Sequence, residues 1–245
     1  VCLEMVFTEL PFLDRLQAAA DAGVRQAEFW FGDLAPGAGG AGRNAKTAGA
    51  VRAAAEKAGV ALTNVVIGSP DGSLGGGLTD AARQADWLKQ TDATLAYCRE
   101  AGIGAAIACT GNLAPDLPRE AMRHNVLDGL KATAERAEKA GVTVWLEVLN
   151  DKVDHPDYFL TSSDEGAALC REVGSPHLKL LFDCYHLQIM EGDLSGHLRR
   201  HLDVIGHVHA AGHPGRNELW LGEIRYPFLV RELERLGYAG VFALE

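Results

Sequence analysis

The sequence has 245 residues, 47% of them hydrophobic and 23% charged, with 23 basic against 33 acidic side chains and a net charge of −10. These proportions exclude a disordered or fibrous chain, and the length suits one α/β barrel better than one sandwich or bundle. A surface so acidic repels polyanions, so neither nucleic acid nor a membrane is expected as a partner, and no apolar run approaches the roughly 20 residues of a membrane span.

The opening, VCLEMVF, has no basic stretch or small-residue cleavage site and no initiator Met. A retained secretory signal is therefore not expected, and a trimmed chain is. Short β-branched and aromatic runs then alternate with Ala-, Leu- and Arg-rich stretches of helical period. The predicted strands are Val1–Phe7, Val24–Phe31, Ala61–Ile67, Ile103–Cys109, Val142–Leu149, Leu178–Asp183, Val204–Ala210 and Ala239–Glu245. The helices between them centre on Phe12–Ala22, Lys46–Ala58, Thr79–Ala101, Arg119–Ala140, Ser163–Val173, Leu194–His201 and Pro227–Leu236. Gly recurs after a predicted helix and just before a strand, in AGV, AGVAL, AGI, AGV and LGYAG, where it closes a helix in the left-handed conformation.

Such short helix-to-strand turns mark a repeating βα fold. Eight strands with seven intervening helices predict an α/β fold, a single parallel (β/α)8 barrel over residues 1–245, its final helix missing from this sequence. The alternative is an open doubly wound sheet, which usually carries a Gly-rich phosphate turn after its first strand; here that position reads TELP. Two Gly-rich segments, 32–44 and 68–77, follow predicted strands and are read as either plain linkers or mobile loops over a site. Neither is a phosphate-binding loop, since no Gly-Lys-Ser/Thr follows.

The cysteines are Cys2, Cys98, Cys109, Cys170 and Cys184. An odd number without a CxxC argues against a disulfide scaffold and for a reducing, cytoplasmic setting.

Four polar side chains stand at the ends of consecutive predicted strands. They are Glu147, Asp183, His209 and Glu245, spaced 36, 26 and 36 residues apart, each about one βα unit. Chemistry in a barrel sits at that end of the strands. The period of two places Trp145 with Glu147, Leu181 with Asp183, His207 with His209 and Ala243 with Glu245. If that shared face is the lumen, three carboxylates and an imidazole converge, and a divalent cation is the simplest neutraliser. Oxygen-rich ligation with one imidazole suits Mn²⁺ or Mg²⁺; Co²⁺ and Zn²⁺ also fit. His207 is read as a packed histidine behind the cluster. Asp154 and His155 follow Glu147 and His186 follows Asp183, as candidate substrate-binding groups. Arg216, on the loop after the seventh strand, is a candidate grip for an anionic group, with an ion pair to Glu218 or Glu223 as the plainer reading.

The segments FTELPFLDRLQAAADAG, WLEVLNDKVDHPDYFL, FDCYHLQIMEGDL and HVHAAGHPGRNELWLGEIRY resemble the hydroxypyruvate isomerase branch of the xylose isomerase-like TIM barrel superfamily. The resemblance covers nearly the whole chain. It implies one divalent metal ion held by Glu147, Asp183, His209 and Glu245, Glu147 and Glu245 as the acid/base pair, and His186 and Arg216 as substrate contacts. It also implies proton transfer through an enediolate on a small hydroxy-carbonyl acid, converting hydroxypyruvate to tartronate semialdehyde or isomerising a 2-oxo-tetronate. A homo-oligomer is compatible with it. The chain departs from the branch at His209, where hydroxypyruvate isomerases commonly carry Gln and ketose 3-epimerases His, and at Val148, commonly Pro. A ketose 3-epimerase is therefore the first rival. An abasic-site endonuclease would need more histidine ligands and a basic groove. A non-catalytic sugar- or acid-binding barrel would not need two opposed glutamates.

Overall fold

The computed structural model describes residues 1–34, 45–68 and 77–245. Most of the two Gly-rich segments read as linkers or mobile loops, residues 35–44 and 69–76, lies outside the described residues. Parallel strands β3 (Asn64–Val66), β4 (Ala105–Ala108), β5 (Thr143–Glu147), β6 (Leu178–Asp183), β7 (Ile205–Ala210) and β8 (Val241–Leu244) pair in chain order. Strand β1 (Gln26–Ala27) pairs with β2 (Ala61–Leu62), which runs on through Thr63 into β3. The ring closes through the first residues. Cys2 N–H donates to Leu244 O at 2.8 Å, Leu3 N–H to Glu28 O at 2.8 Å, and Glu28 N–H to Val1 O at 3.0 Å. Phe29 N–H to Asn64 O and Val66 N–H to Trp30 O carry the ladder from β1 to β3. The architecture is the parallel (β/α)8 barrel.

Helices α1 (Phe12–Asp21), α2 (Ala48–Ala58), α3 (Gln84–Ala101), α4 (Arg119–Ala140), α5 (Ser163–Val173), α6 (Cys184–Met190), α7 (Leu194–His201) and α8 (Tyr226–Arg235) surround the strands. Helices α4, α5 and α7 match the predicted spans to the residue. Gly102 and Gly141 end α3 and α4 at φ 75° and 68°, the left-handed geometry in which a Cβ is costly. The buried faces of the helices meet the outward faces of the strands, with Leu146, Leu180, Phe182 and Val208 all fully buried. No helix among the described residues is long and apolar enough to cross a membrane.

Two expectations are corrected. Val1–Phe7 is not a strand but a single bridge, Cys2 to Glu28, followed by turns. Met5 N–H turns back to Cys2 O, Phe7 takes φ 55°, and the buried Arg15 guanidinium gathers the carbonyls of Leu3, Thr8 and Leu10. Those carbonyls are satisfied by a side chain instead of a ladder. The predicted helix Thr79–Ala101 begins with a short 3₁₀ turn, Ala81–Arg83, capped by the Asp80 side chain.

Strand β7 carries one extra residue against β6, so that Leu180 faces Ile205 but Leu181 faces His207. The residue between is Gly206. A Cβ there would lie 2.7 Å from Lys179 Cβ and 2.8 Å from Trp145 Nε1. The bulge sets His207 and His209 inward opposite β6 and lets the Trp145 ring lie against β7. Gly206→Ala is expected to destabilise the fold by about 1–3 kcal/mol, the usual cost of overpacking, read as a lower urea midpoint at unchanged slope.

Candidate metal centre and active site

Glu147 and Asp183 end β5 and β6, His209 is next to last in β7, and Glu245 follows β8. Asp183 pairs directly with His209 across the sheet. The alternation of strand side chains turns all four inward at the C-terminal mouth, where one ligand atom from each lies within 4.8 Å of the others. His209 Nδ1 stands 3.2 Å from Glu245 Oε2, 3.5 Å from Glu147 Oε1 and 3.9 Å from Asp183 Oδ2. Glu147, Asp183 and His209 are buried, and Glu245 is nearly so.

Each carboxylate is held by one set of partners and left open on the other side. Asp183 Oδ1 accepts the Tyr185 and His186 backbone N–H groups at 2.7 and 3.1 Å. It thereby caps α6, a helix that sequence reasoning missed because the strand runs straight into it. Oδ2 remains for the centre. Among the described residues, Glu147 Oε2 meets only the Cys109 thiol, with Sγ at 3.7 Å. Glu245 is gripped by strong donors: Trp30 Nε1 to Oε1 at 2.6 Å and the Arg216 guanidinium to Oε2 at 2.9 Å. The far nitrogen of His209, Nε2, lies 3.0 Å from Glu28 Oε1.

These surroundings push the two glutamates apart. Burial raises the Glu147 carboxyl, and the nearby Glu245 and Asp183 charges add to it against the pull of His209. Burial would raise Glu245 as well, but His209, Arg216 and the Trp30 indole bring it down to about 2. Burial alone would lower His209, yet Glu28, Glu245 and Glu147 hold it well above the usual imidazole range. Burial also lifts the Cys109 thiol, with Glu147 adding to it, so Cys109 is a neutral S–H beside the carboxylate.

The residues fit a divalent cation. Glu147 Oε1 and His209 Nδ1 are buried without a hydrogen bond, an arrangement that costs about 1–3 kcal/mol per group when nothing compensates it. Both open onto the space they share with Asp183 Oδ2 and Glu245 Oε2. Three hard oxygens and one imidazole nitrogen are a donor set for Mn²⁺ or Mg²⁺. A second group, Asp164, His197 and His201, lies between α5 and α7. There the Arg200 guanidinium already supplies the positive charge, 3.0 Å from Asp164 Oδ1 and 3.3 Å from His197 Nδ1.

Of the four predicted substrate groups, two reach the cluster. His186 is fully buried, its Nδ1 bonded to Asn150 and its Nε2 unpartnered, 3.9 Å from Asp183 Oδ2. Arg216 pairs with Glu245, not with Glu218 or Glu223, and its guanidinium lies 5.3 Å over the Tyr185 ring. Its backbone sits at φ 54°, a strained setting for a long side chain that needs compensation from its contacts. Asp154 is on the exposed rim, bonded to Asn150 Nδ2, and His155 tilts against His186 with ring centroids 5.3 Å apart. These two brace the wall of the site. A cavity of about 400 Å³ bordered by Met5, Arg216, Asn217, Trp220 and Glu245 opens beside the cluster. A larger one, about 490 Å³ between α8 and the outer side of β8, contains none of the cluster residues.

Glu28, Trp30 and Cys109 were missed from sequence. Glu28 and Trp30 sit two residues apart in AEFW, inside a predicted strand. A carboxylate in so apolar a run was the available signal. His207 is packed behind the cluster as expected, 3.2 Å from Glu28 Oε2.

The chain is similar to the 2-oxo-tetronate isomerase of Cupriavidus necator, 36% identical over 247 residues, covering 99% of this chain and 90% of that protein. It is similar to a putative hydroxypyruvate isomerase of Homo sapiens, 31% identical over 254 residues, covering 99% and 87%. Among solved structures, one titled as an AP endonuclease, family 2, from Brucella melitensis superposes with a TM-score of 0.89 at 27% identity, covering 100% of this chain and 90% of that one. Residues 16–245 match the family model described as xylose isomerase-like TIM barrel, and the chain belongs to that family.

Proposed function

We propose that this protein is a divalent-metal-dependent isomerase of a small hydroxy-carbonyl acid, acting on hydroxypyruvate or a 2-oxo-tetronate by proton transfer through an enediolate. The observation that carries the reading is the pair of unlike glutamates, Glu147 and Glu245, on either side of one buried nitrogen ligand, with Arg216 at the edge of the cavity. The names of the Cupriavidus and human relatives, 2-oxo-tetronate isomerase and putative hydroxypyruvate isomerase, support the same class. Glu147, Asp183, His209 and Glu245 would hold the ion, which supplies Lewis acidity toward the substrate's carbonyl and hydroxyl oxygens.

The protein's own groups do the rest. Burial raises the Glu147 carboxyl against the pull of His209, and its Oε2 has a weak thiol donor, so its carboxylate keeps its basicity and takes the proton from the hydroxyl-bearing carbon. Glu245, gripped by an indole and a guanidinium, is the weaker base and serves the opposite side of the substrate, where a proton returns to the adjacent carbon. Each positioned acid or base contributes roughly 10²–10⁴-fold. His186 Nδ1 accepts the Asn150 backbone N–H, so the buried, unpartnered Nε2, 3.9 Å from Asp183 Oδ2, carries the ring proton and would donate it to a substrate hydroxyl. Arg216 presents its fork to the carboxylate of the substrate. Asp154 and His155 hold Asn150 and His186 in place.

His209 favours one second reading, a ketose 3-epimerase, because imidazole stands here where hydroxypyruvate isomerases commonly carry Gln. An endonuclease reading is disfavoured by a net charge of −10 and by an acidic centre that repels phosphates. The deciding experiment incubates the metal-reconstituted protein with hydroxypyruvate, a 2-oxo-tetronate and a panel of ketoses, and follows products and solvent-deuterium uptake by NMR. Turnover of the acids is expected; epimerised ketose with inert acids overturns the main reading.

Three variants test its parts. Asp183→Ala and His209→Ala are expected to lose metal in dialysis followed by elemental analysis, and unchanged content in both would defeat the cation site. Glu147→Gln and Glu245→Gln are expected to keep part of the metal while turnover falls at least about 10²-fold; wild-type deuterium exchange in both would show that neither moves the proton. Arg216→Ala is expected to slow the carboxylate substrate far more than a neutral ketose analogue, and Arg216→Lys to rescue it only in part. Equal slowing of both substrates would remove the carboxylate role.

A further inference from the structure

Glu28 is a buried carboxylate that the proposed chemistry does not use. Its backbone is pinned on both sides, N–H to Val1 O and C=O to Leu3 N–H. Its side chain is 2% exposed and divides its two oxygens between two imidazoles. Oε1 lies 3.0 Å from His209 Nε2, and Oε2 lies 3.2 Å from His207 Nε2 and 3.5 Å from Thr63 Oγ1. His207 in turn lies flat on Trp145, ring centroids 4.2 Å apart and planes 5° from parallel. That ring has room because β7 carries Gly206 beside it.

A carboxylate taken this far out of water is costly unless both oxygens are used. His207 alone would satisfy one. The other, Oε1, lies 3.0 Å from the far nitrogen of His209, the one imidazole that the four-residue cluster holds among the described residues, in ion-pair range but not aligned as a hydrogen bond. His209 can turn half a revolution about its Cβ–Cγ bond, and only one of the two settings directs Nδ1 at Glu147, Asp183 and Glu245. The Glu28 charge, 3.0 Å from Nε2, favours the proton on that nitrogen, which leaves Nδ1 to a cation.

We propose that Glu28 is the positioning residue of the nitrogen ligand. Through the ion pair at Nε2 it keeps the ring of His209 turned so that Nδ1 faces the three carboxylates, and it is itself held by His207 clamped on Trp145. This inference rests on the reading of the cluster as a cation site. A purely structural Glu28, tying β1 to β7 across the lumen, would affect stability but not the affinity for the ion. A purely electrostatic one would attract the cation whether or not His209 were present.

Calorimetric titration of Mn²⁺ into the metal-stripped full chain separates these roles. The proteins are wild type, Glu28→Gln, Glu28→Asp, His209→Gln and the double variant Glu28→Gln/His209→Gln, each checked by its thermal midpoint. Loss of such an outer partner typically weakens a metal site 10- to 100-fold. Glu28→Gln is expected to weaken Mn²⁺ binding by about that factor. Glu28→Asp, which keeps the charge but withdraws it from Nε2, is expected to weaken it by about 10-fold. This second variant decides the matter if Glu28→Gln does not fold. In the His209→Gln background, adding Glu28→Gln is expected to cost less than about 2-fold, because the effect passes through the imidazole. Affinity within 2-fold of wild type in Glu28→Gln or, if that variant does not fold, in Glu28→Asp overturns the proposal. So does an equal loss in both backgrounds. Wild-type protein that binds no Mn²⁺ would instead remove the underlying cation reading.

Discussion

Four carboxylates surround one imidazole at the mouth of this barrel. Glu28 meets one nitrogen of His209, and Glu147, Asp183 and Glu245 crowd the other. Like charges so close in a dry setting repel by several kcal/mol unless something positive lies among them. His209 and the Arg216 guanidinium supply part of that charge. Glu147 Oε1, Glu28 Oε1 and both nitrogens of His209 are buried without a hydrogen bond, so the compensation is incomplete on both sides of the ring. The surrounding structure serves this one electrostatic problem: it forces acidic groups together around a single imidazole.

The barrel can do this because it is closed and its strands are locked in register. Strand ends from β5 to β8 bring the four residues to one level. The closure through Val1, Cys2 and Leu3 brings β1, and with it Glu28 and Trp30, against the other side. Each carboxylate is oriented from a different place: the N-terminus of α6 for Asp183, the Cys109 thiol after β4 for Glu147, the Trp30 indole after β1 and the Arg216 guanidinium of the loop after β7 for Glu245. Unequal donors give two chemically identical side chains unequal basicity, a common route to acid/base pairs in one site.

The loop after β7 bears a different cost. Arg216 adopts φ 54° so that its guanidinium reaches Glu245 and covers Tyr185. A strained backbone at the edge of a cavity is sustained by such contacts, and it places the guanidinium beside Glu245. The separation of roles between rim and centre is also clear: Asn150, Asp154 and His155 form a hydrogen-bonded and stacked brace behind His186.

The repeating βα period and the Gly-closed helices were legible in the sequence, because they arise from local rules of side-chain alternation and left-handed caps. The four cluster residues were legible for the same reason: consecutive strand ends in a barrel share one face. Three things were decided only by tertiary structure. The first segment is a bridge with turns, because Arg15 draws its carbonyls away from the ladder. Helix α6 follows β6 without a gap, because Asp183 both ends the strand and caps the helix. Glu28 faces His209 from 181 residues away in sequence, and no local pattern encodes that distance, since only closure of the ring through residues 1–3, between β1 and β8, places Glu28 across the lumen from β7.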